Sequence, residues 1–164
     1  MIRAAFGCAL LAGAFLVTTR PDAPGSGPFD IPLFNTAKVP DARGAARLVY
    51  AASPFGVAVT ADGHARYDVL IDASGLPTPS SLGEYDAYVA WAASTDLSQW
   101  ERLGEVTNGQ SIVGQVDMNK FLLVITAEPK GAATHAGPTV LHGTSPSSWL
   151  QNFLTHPLFR GVPP

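Results

Sequence analysis

The chain has 164 residues, of which 46% are hydrophobic and 14% are charged, and its net charge is -3. This length suits one domain with a hydrophobic core of its own rather than two. Lysine and arginine are scattered, whereas binding to nucleic acid by counterion release needs several cations on one face. The composition therefore argues against a nucleic-acid partner.

The N-terminus has the pattern of a bacterial export signal. Arg3 supplies a positive start, residues 4–17 carry no charge, and Arg20 ends the apolar run. A membrane-spanning helix needs about 20 apolar residues, whereas the core of a signal peptide needs roughly 7–15. We interpret residues 1–20 as a signal peptide, with an N-terminal anchor as the alternative. The expected location is periplasmic or secreted, with no membrane span after the signal is removed.

The single cysteine of the chain, Cys8, lies inside this signal. Once the signal is removed, the mature protein has no thiol. Disulfides, thiolate metal sites and cysteine nucleophiles are then excluded from its chemistry.

Prolines recur through residues 21–45, at positions 21, 24, 28, 32 and 40. Each proline fixes its own φ and biases the residue before it towards an extended backbone. We predict a proline-rich linker here, followed at residues 29–34 by an apolar, extended strap that lies along the folded domain. A partner-binding arm is the alternative for that segment.

Residues 46–143 carry the pattern of short strands separated by turns. The alternation of apolar and polar side chains is clearest at residues 65–72, where Tyr67, Val69 and Ile71 share one face. Such a face is expected to point into a hydrophobic core. We therefore predict that residues 46–143 form the folded domain.

Turn signals suggest how these strands are connected. Asp62-Gly63 and Asn108-Gly109 each predict a hairpin between the two strands that flank them. Residues 73–85 predict a long crossing loop, and the run 121–127, apolar on both faces, is typical of a central strand that is covered on both sides. Seven or eight strands at this spacing predict an all-β fold, an antiparallel β-sandwich of the immunoglobulin-like kind.

Residues 144–164 change to a helical pattern. Ser145 and Pro146 suit the N-cap and the first helical position. An apolar helical face follows and continues past the predicted helix; its members are Trp149, Leu150, Phe153, Leu154 and Phe159. So short a helix is not stable alone. It is expected to dock either on the sandwich or on a partner protein, which makes these five side chains candidate partner-binding residues.

Four short motifs follow one another between residues 85 and 143. A strand with a tyrosine ends at a tryptophan, a Leu-Gly pair follows, and a Thr-x-Glu-Pro segment then precedes Gly-Pro-x-x-Leu. In this chain the motifs begin at Tyr88, Leu103, Thr126 and Gly137. In this order they resemble the extracytoplasmic domain of the anti-sigma-K factor family. The resemblance implies a small antiparallel β-sandwich outside the cytoplasmic membrane.

The family's other parts have no counterpart in these residues. Its members carry a cytoplasmic helical sigma-binding domain and a membrane-spanning helix before the sandwich, whereas this sequence offers only an export signal. The regulatory activity of the family is therefore not implied. The resemblance implies the sandwich as an exported sensing or interaction module.

The sequence contains no established motif for catalysis. It lacks a Gly-x-Ser-x-Gly elbow, a dinucleotide-binding glycine pattern and a P-loop. Glu128 stands before Pro129, where a strand is expected to end. We expect this carboxyl group to accept hydrogen bonds from loop amides rather than to take part in catalysis, and we expect no enzymatic activity.

His135 and His142 lie at the two ends of a loop between predicted strands. If the loop brings them face to face, two imidazoles suit copper or zinc. They are the candidate metal ligands, although their spacing matches no defined motif.

The most consistent hypothesis is an exported, non-catalytic interaction or accessory module that binds an envelope protein and needs no cofactor. The alternative is a periplasmic metal-handling accessory protein, with copper as the first choice, that serves a redox enzyme.

Overall fold

The computed structural model is built almost entirely of antiparallel strands. It describes residues 29–54, 56–58, 60–61, 66–118 and 120–146. The predicted signal peptide, the first part of the linker and the five apolar residues of the predicted C-terminal helix lie outside this part. Within it, the helical content is one short 3-10 helix at Pro79–Leu82, and no helix is long and apolar enough to cross a membrane. The predicted all-β, antiparallel class is confirmed.

In the part of the chain that the structure describes, eight strands form one sheet and two short strands form a small second sheet. In chain order the strands are β1 Asp30–Asn35, β2 Arg43–Tyr50, β3 Ala52–Ser53, β4 Gly56–Val57, β5 Tyr67–Ser74, β6 Ala87–Ser94, β7 Trp100–Val106, β8 Gly109–Val116, β9 Phe121–Glu128 and β10 Thr139–Thr144. The order across the large sheet is β7-β6-β9-β10-β1-β2-β5-β8.

β1 is the corner at which this sheet folds over. Its first part pairs with β2, in the register Asp30 to Arg47, whereas Phe34 and Asn35 pair with β10. A strand that changes partner in this way joins the two layers of a β-sandwich into one bent sheet. The two layers therefore face each other across a common core, and the structure is close to a closed barrel.

The segment predicted as a strap is this central strand. The predicted domain boundary at residue 46 falls inside β2, so residues 29–45 belong to the folded domain. At the start of β1 the buried carboxylate of Asp30 accepts a hydrogen bond of 2.7 Å from Nε of Arg47, its cross-strand neighbour. Sequence periodicity missed the strand because proline at position 32 breaks the alternation that identifies strands.

The predicted hairpin around Asn108-Gly109 is only half correct. The pair does connect β7 to β8, but the two strands stand at opposite ends of the sheet and form no ladder. In the pairing of β7 with β6 the extra residue is Leu103, and in the pairing of β8 with β5 it is Val113. Such bulges bend a strand and end regular pairing. The two end strands thus approach each other at their bulges rather than along their length.

The flanks of the predicted hairpin around Asp62-Gly63 meet at one point, where the Arg66 amide donates a hydrogen bond of 2.9 Å to the carbonyl oxygen of Ala58. The turn itself lies outside the described residues, and β5 pairs with β2 over its whole length, with Tyr67 opposite Tyr50. The strand β4, which contains Val57, pairs instead with β3. The faces of β5 are as predicted, because Val69 and Ile71 are buried. β9 is also confirmed as a central strand, since it lies between β6 and β10 and is buried along most of its length.

An aromatic cluster closes one end of the core. The ring of Phe29 lies 5.5 Å from that of Tyr50, and the rings of Tyr50 and Tyr67 are 5.0 Å apart. Burial, and then the hydrogen bond and charge of Tyr50, raise the pKa of Tyr67 to about 12. The cluster therefore favours the neutral form of the phenol.

Gly104→Ala tests the contact between the two end strands. A Cβ atom at this position would lie closer than 3.0 Å to the carbonyl oxygen of Val113, which belongs to the backbone and cannot rotate away. We expect a loss of about 3 kcal/mol in the free energy of unfolding, measured by urea denaturation. The control is Gly131→Ala, where φ is 74° but nothing lies within 4 Å, and where about 1 kcal/mol is expected. Equal losses in the two variants would show that β7 and β8 do not meet as described.

Alkaline unfolding tests the aromatic cluster. Because the pKa of Tyr67 in the folded state, about 12, exceeds the ordinary value of 10.0, the folded state holds the proton more tightly. This contribution to stability is complete below pH 10 and is lost as the pH rises towards 12. We expect urea denaturation to show a steeper alkaline fall in stability for the parent protein than for Tyr67→Phe. Parallel falls would contradict the assignment.

Candidate functional site

The centre of the sheet is buried on both faces, although only one of them points into the core. Tyr88, Ala90 and Ala92 of β6 belong to the core. Alternation along the strand places Trp91 on the opposite face, yet its side chain is only 1% exposed. The loop of residues 129–138 and the side chain of Trp100 lie against this outer face.

Glu128 ties that loop to the sheet. Its side chain is fully buried, and Oε1 accepts hydrogen bonds from the Thr126 hydroxyl at 2.7 Å and from the amides of Ala136 and Gly137 at 3.0 Å each. Thr126 in turn accepts a hydrogen bond of 2.8 Å from the indole Nε1 of Trp91. We call these five residues the Glu128 network. The prediction that Glu128 binds loop amides is confirmed.

Close packing at Gly137 completes the attachment of the loop. A Cβ atom there would lie closer than 3.0 Å to the backbone oxygen of Ala127, so only glycine allows this approach. The Ala127 amide donates a hydrogen bond of 3.0 Å to the carbonyl oxygen of Pro138. Among the described residues, Glu128 Oε2 is the buried side-chain oxygen or nitrogen without a hydrogen-bond partner. Oε1 of Glu128 therefore attaches the loop to the sheet, whereas Oε2 of the same carboxyl group makes no hydrogen bond.

The two candidate metal ligands are not brought together. The His135 ring stacks on Trp100 of β7, with centroids 3.5 Å apart and planes 15° apart, and it meets Trp91 edge-on. The ring of His142, on β10, lies 6.3 Å from the ring of Phe34 on β1, which is the next strand after β10 in the sheet order. Three strand-to-strand steps separate β7 from β10. The part of the chain that the structure describes contains no group of three or more histidine, cysteine or acidic side chains able to hold a metal ion.

A cleft opens at one end of the sheet, beside Tyr88. Its volume is about 340 Å³. The lining comes from the crossing loop, the start of β6 and the end of β7, and comprises Leu76, Pro77, Thr78, Pro79, Asp86, Ala87, Tyr88, Glu105, Val106, Thr107 and Asn108. We call it the Tyr88 cleft. Leu76, Tyr88 and Val106 are buried and form an apolar floor.

Side-chain hydrogen bonds fix the walls of the Tyr88 cleft. The Asn108 amide group accepts a bond of 3.0 Å from Leu76 N and donates one of 2.8 Å to Leu76 O, so it pairs with the crossing loop as a strand would. The Tyr88 hydroxyl donates a bond of 3.0 Å to the carbonyl oxygen of Pro77, and burial raises the pKa of Tyr88. The crossing loop is therefore held at the backbone of Leu76 and at the carbonyl group of Pro77.

A second, smaller cavity of about 230 Å³ lies where β7 and β8 diverge. Arg66 and Asp117 approach to 4.0 Å there, and Gln115 donates a hydrogen bond of 2.8 Å to Asp68. Burial, and then the charge of Asp117, raise the pKa of Glu101, while Arg66 opposes this shift. Its lining carries one cation, that of Arg66, and two carboxylates, those of Glu101 and Asp117.

The lining of the Tyr88 cleft, all of it within the described residues, carries the carboxylates of Asp86 and Glu105 and the hydroxyl groups of Thr78, Tyr88 and Thr107. The sequence predicted the crossing loop but not the cleft. The cleft depends on Asn108 meeting a residue 32 positions away, and no local pattern records that contact.

A sequence model of one protein family matches residues 41–145. Its description is SPbeta prophage-derived uncharacterized protein YoqH. The matched region runs from the start of β2 to the end of β10 and includes both the Glu128 network and the Tyr88 cleft. No curated protein and no solved structure matches the chain.

Thr126→Val tests the Glu128 network. The substitution preserves the shape of the side chain but leaves the indole N–H of Trp91 without its acceptor and removes one donor from Glu128 Oε1. We expect the free energy of unfolding to fall by about 2 kcal/mol. The control is Thr144→Val on the exposed face of β10, where a change within about 0.5 kcal/mol is expected. Similar small changes in both variants would contradict the network's role.

Proposed function

The chain belongs to the YoqH family, and we propose that it acts outside the cytoplasm as a non-catalytic interaction module that binds a partner protein in the Tyr88 cleft. The observation that carries this proposal is the build of the cleft. It has a buried apolar floor, walls fixed by hydrogen bonds from Asn108 and Tyr88, and an exposed rim. A preformed concave surface of this kind loses little conformational freedom on binding.

The cleft is also attached to the end of β9, where Glu128 lies. The Asp86 amide, on the rim, donates a hydrogen bond of 3.0 Å to the backbone oxygen of Glu128, and Asp86 Oδ2 accepts one of 3.3 Å from the Lys130 amide. The rim is thus bound to the end of β9, to which the loop 129–138 is also bound. This arrangement supports a role in recognition because the position of the rim does not depend on the ligand.

Two sequence features support a location outside the cytoplasm. The first is the export signal predicted at residues 1–20. The second is the resemblance to the extracytoplasmic domain of anti-sigma-K factors. Trp91, Thr126, Glu128 and Gly137 come from the motifs that carry this resemblance, and all four are members of the Glu128 network. Because these four residues contact one another, the motifs contribute to one hydrogen-bonded network.

Photo-crosslinking from defined positions tests the proposal. A benzophenone amino acid replaces Thr78, which lies on the exposed rim of the cleft and makes no side-chain capping bond, in full-length protein expressed in its native bacterium. We expect the protein in the extracytoplasmic fraction, shortened at its N-terminus, with a discrete crosslinked product. The control position is Thr144, on the exposed face of β10, where we expect no such product. Retention in the cytoplasm, or equal crosslinking from both positions, would contradict the proposal.

A further inference from the structure

We infer that the ligand of the Tyr88 cleft is a basic segment of the partner protein, one lysine or arginine side chain of which enters the cleft. This inference rests on the proposed function and specifies its ligand. It follows from the charge of the rim, from the hydrogen-bonding groups that the walls leave available, and from the shape of the floor.

The rim carries negative charge without a matching cation in the lining. Asp86 and Glu105 are the two charged residues among the described lining residues, and both are exposed. Arg102 approaches Glu105 to 3.9 Å, but this contact is at the surface and leaves about half of the Glu105 side chain exposed, at 52%. Exposed ion pairs of this kind contribute little free energy. The electrostatic potential of the rim therefore favours a cation.

The Tyr88 hydroxyl and the Asn108 amide group already make hydrogen bonds within the walls. The Tyr88 hydroxyl donates to Pro77 O, and the Asn108 amide group binds both the amide and the carbonyl of Leu76. The prolines at positions 77 and 79 have no amide hydrogen to offer. The carboxylates of Asp86 and Glu105 are the charged hydrogen-bond acceptors of the lining, so they favour a ligand that brings donors. Ammonium and guanidinium groups consist only of donors.

The floor suits the stem of a long basic side chain. Leu76, Tyr88 and Val106 present a buried apolar surface below the acidic rim. Lysine and arginine place their methylene groups on such surfaces and keep the charged head group at the edge. The volume of about 340 Å³ is at the lower end of the range for small-ligand sites, which leaves room for one side chain and the adjoining backbone.

A protein segment fits better than a free amine. Two exposed carboxylates contribute little binding free energy, because solvent screens them. A free diamine has few other contacts to offer. A peptide adds apolar contact along the floor and backbone hydrogen bonds along the rim, which increase affinity without demanding a deeper pocket.

Titration of the isotope-labelled protein with capped peptides, followed by amide chemical shifts, tests the inference. The probe is Ala-Ala-Lys-Ala-Ala, and the matched peptide has norleucine in place of lysine, which removes the charge and keeps the stem. We expect the lysine peptide to shift the amides of Tyr88, Val106 and Asn108 and to bind about tenfold more tightly than its norleucine counterpart. An ionic strength of about 1 M, where the screening length is about 3 Å, should remove that difference.

Two variants locate the charge. Asp86→Asn combined with Glu105→Gln should lower the affinity for the lysine peptide about tenfold and leave the norleucine peptide unaffected. Asp96→Asn is the control and should change neither affinity. Asp96 is exposed in the turn between β6 and β7, at the end of these strands opposite to the cleft.

The possible failures are distinguishable. Equal affinity for the two peptides at the cleft would overturn the basic ligand but leave the cleft as a binding site. Equally tight binding of free cadaverine would overturn the protein segment as its source. Absence of peptide binding together with absence of crosslinking from Thr78 would overturn both the inference and the proposed function.

Discussion

The burial of the Glu128 carboxyl group is the constraint on which the rest of this structure depends. A buried carboxyl group is costly unless hydrogen bonds compensate it, and here the Thr126 hydroxyl and two loop amides supply those bonds. The loop 129–138 must therefore close over the outer face of the sheet. Once closed, it covers Trp91, which lets a tryptophan stand at the centre of that face with its indole N–H satisfied. The sheet is thereby buried on both sides at β6 and β9.

The end of β9 at Glu128 is linked to the Tyr88 cleft by hydrogen bonds of Asp86. Asp86 binds Glu128 through the backbone and Lys130 through its carboxylate, and Tyr88 follows two residues later on the face of β6 opposite to Trp91. The far wall is held by Asn108, which follows β7 at the point where its pairing with the rest of the sheet ends. A rigid centre and a fixed crossing loop together produce a concave, acidic surface at one end of a nearly closed sheet.

The sequence predicted what depends on local pattern. The double burial of β9 followed from apolar residues on both faces at positions 121–125, and the inward face of β5 followed from the alternation at Tyr67, Val69 and Ile71. The hydrogen bonds that Glu128 accepts from loop amides followed from a carboxyl group placed before a strand-ending proline. The partners of the strands could not be predicted in this way. Asn108-Gly109 signals that the chain turns but not which strands pair, and the decisive partner of Asn108 is Leu76 in a distant loop. The cleft was missed for the same reason, and Pro32 concealed the central strand β1.

The claim that Glu128 holds the loop 129–138 as part of the sheet is tested most directly by native-state amide hydrogen exchange. Ala136 lies in the loop and is exposed as a residue, yet its amide, like that of Gly137, donates to a fully buried oxygen. The account predicts that both amides exchange as slowly as the amides of β9, because they open only when the sheet opens. Exchange of Ala136 and Gly137 at the rate of an unprotected loop, while β9 stays protected, would contradict it.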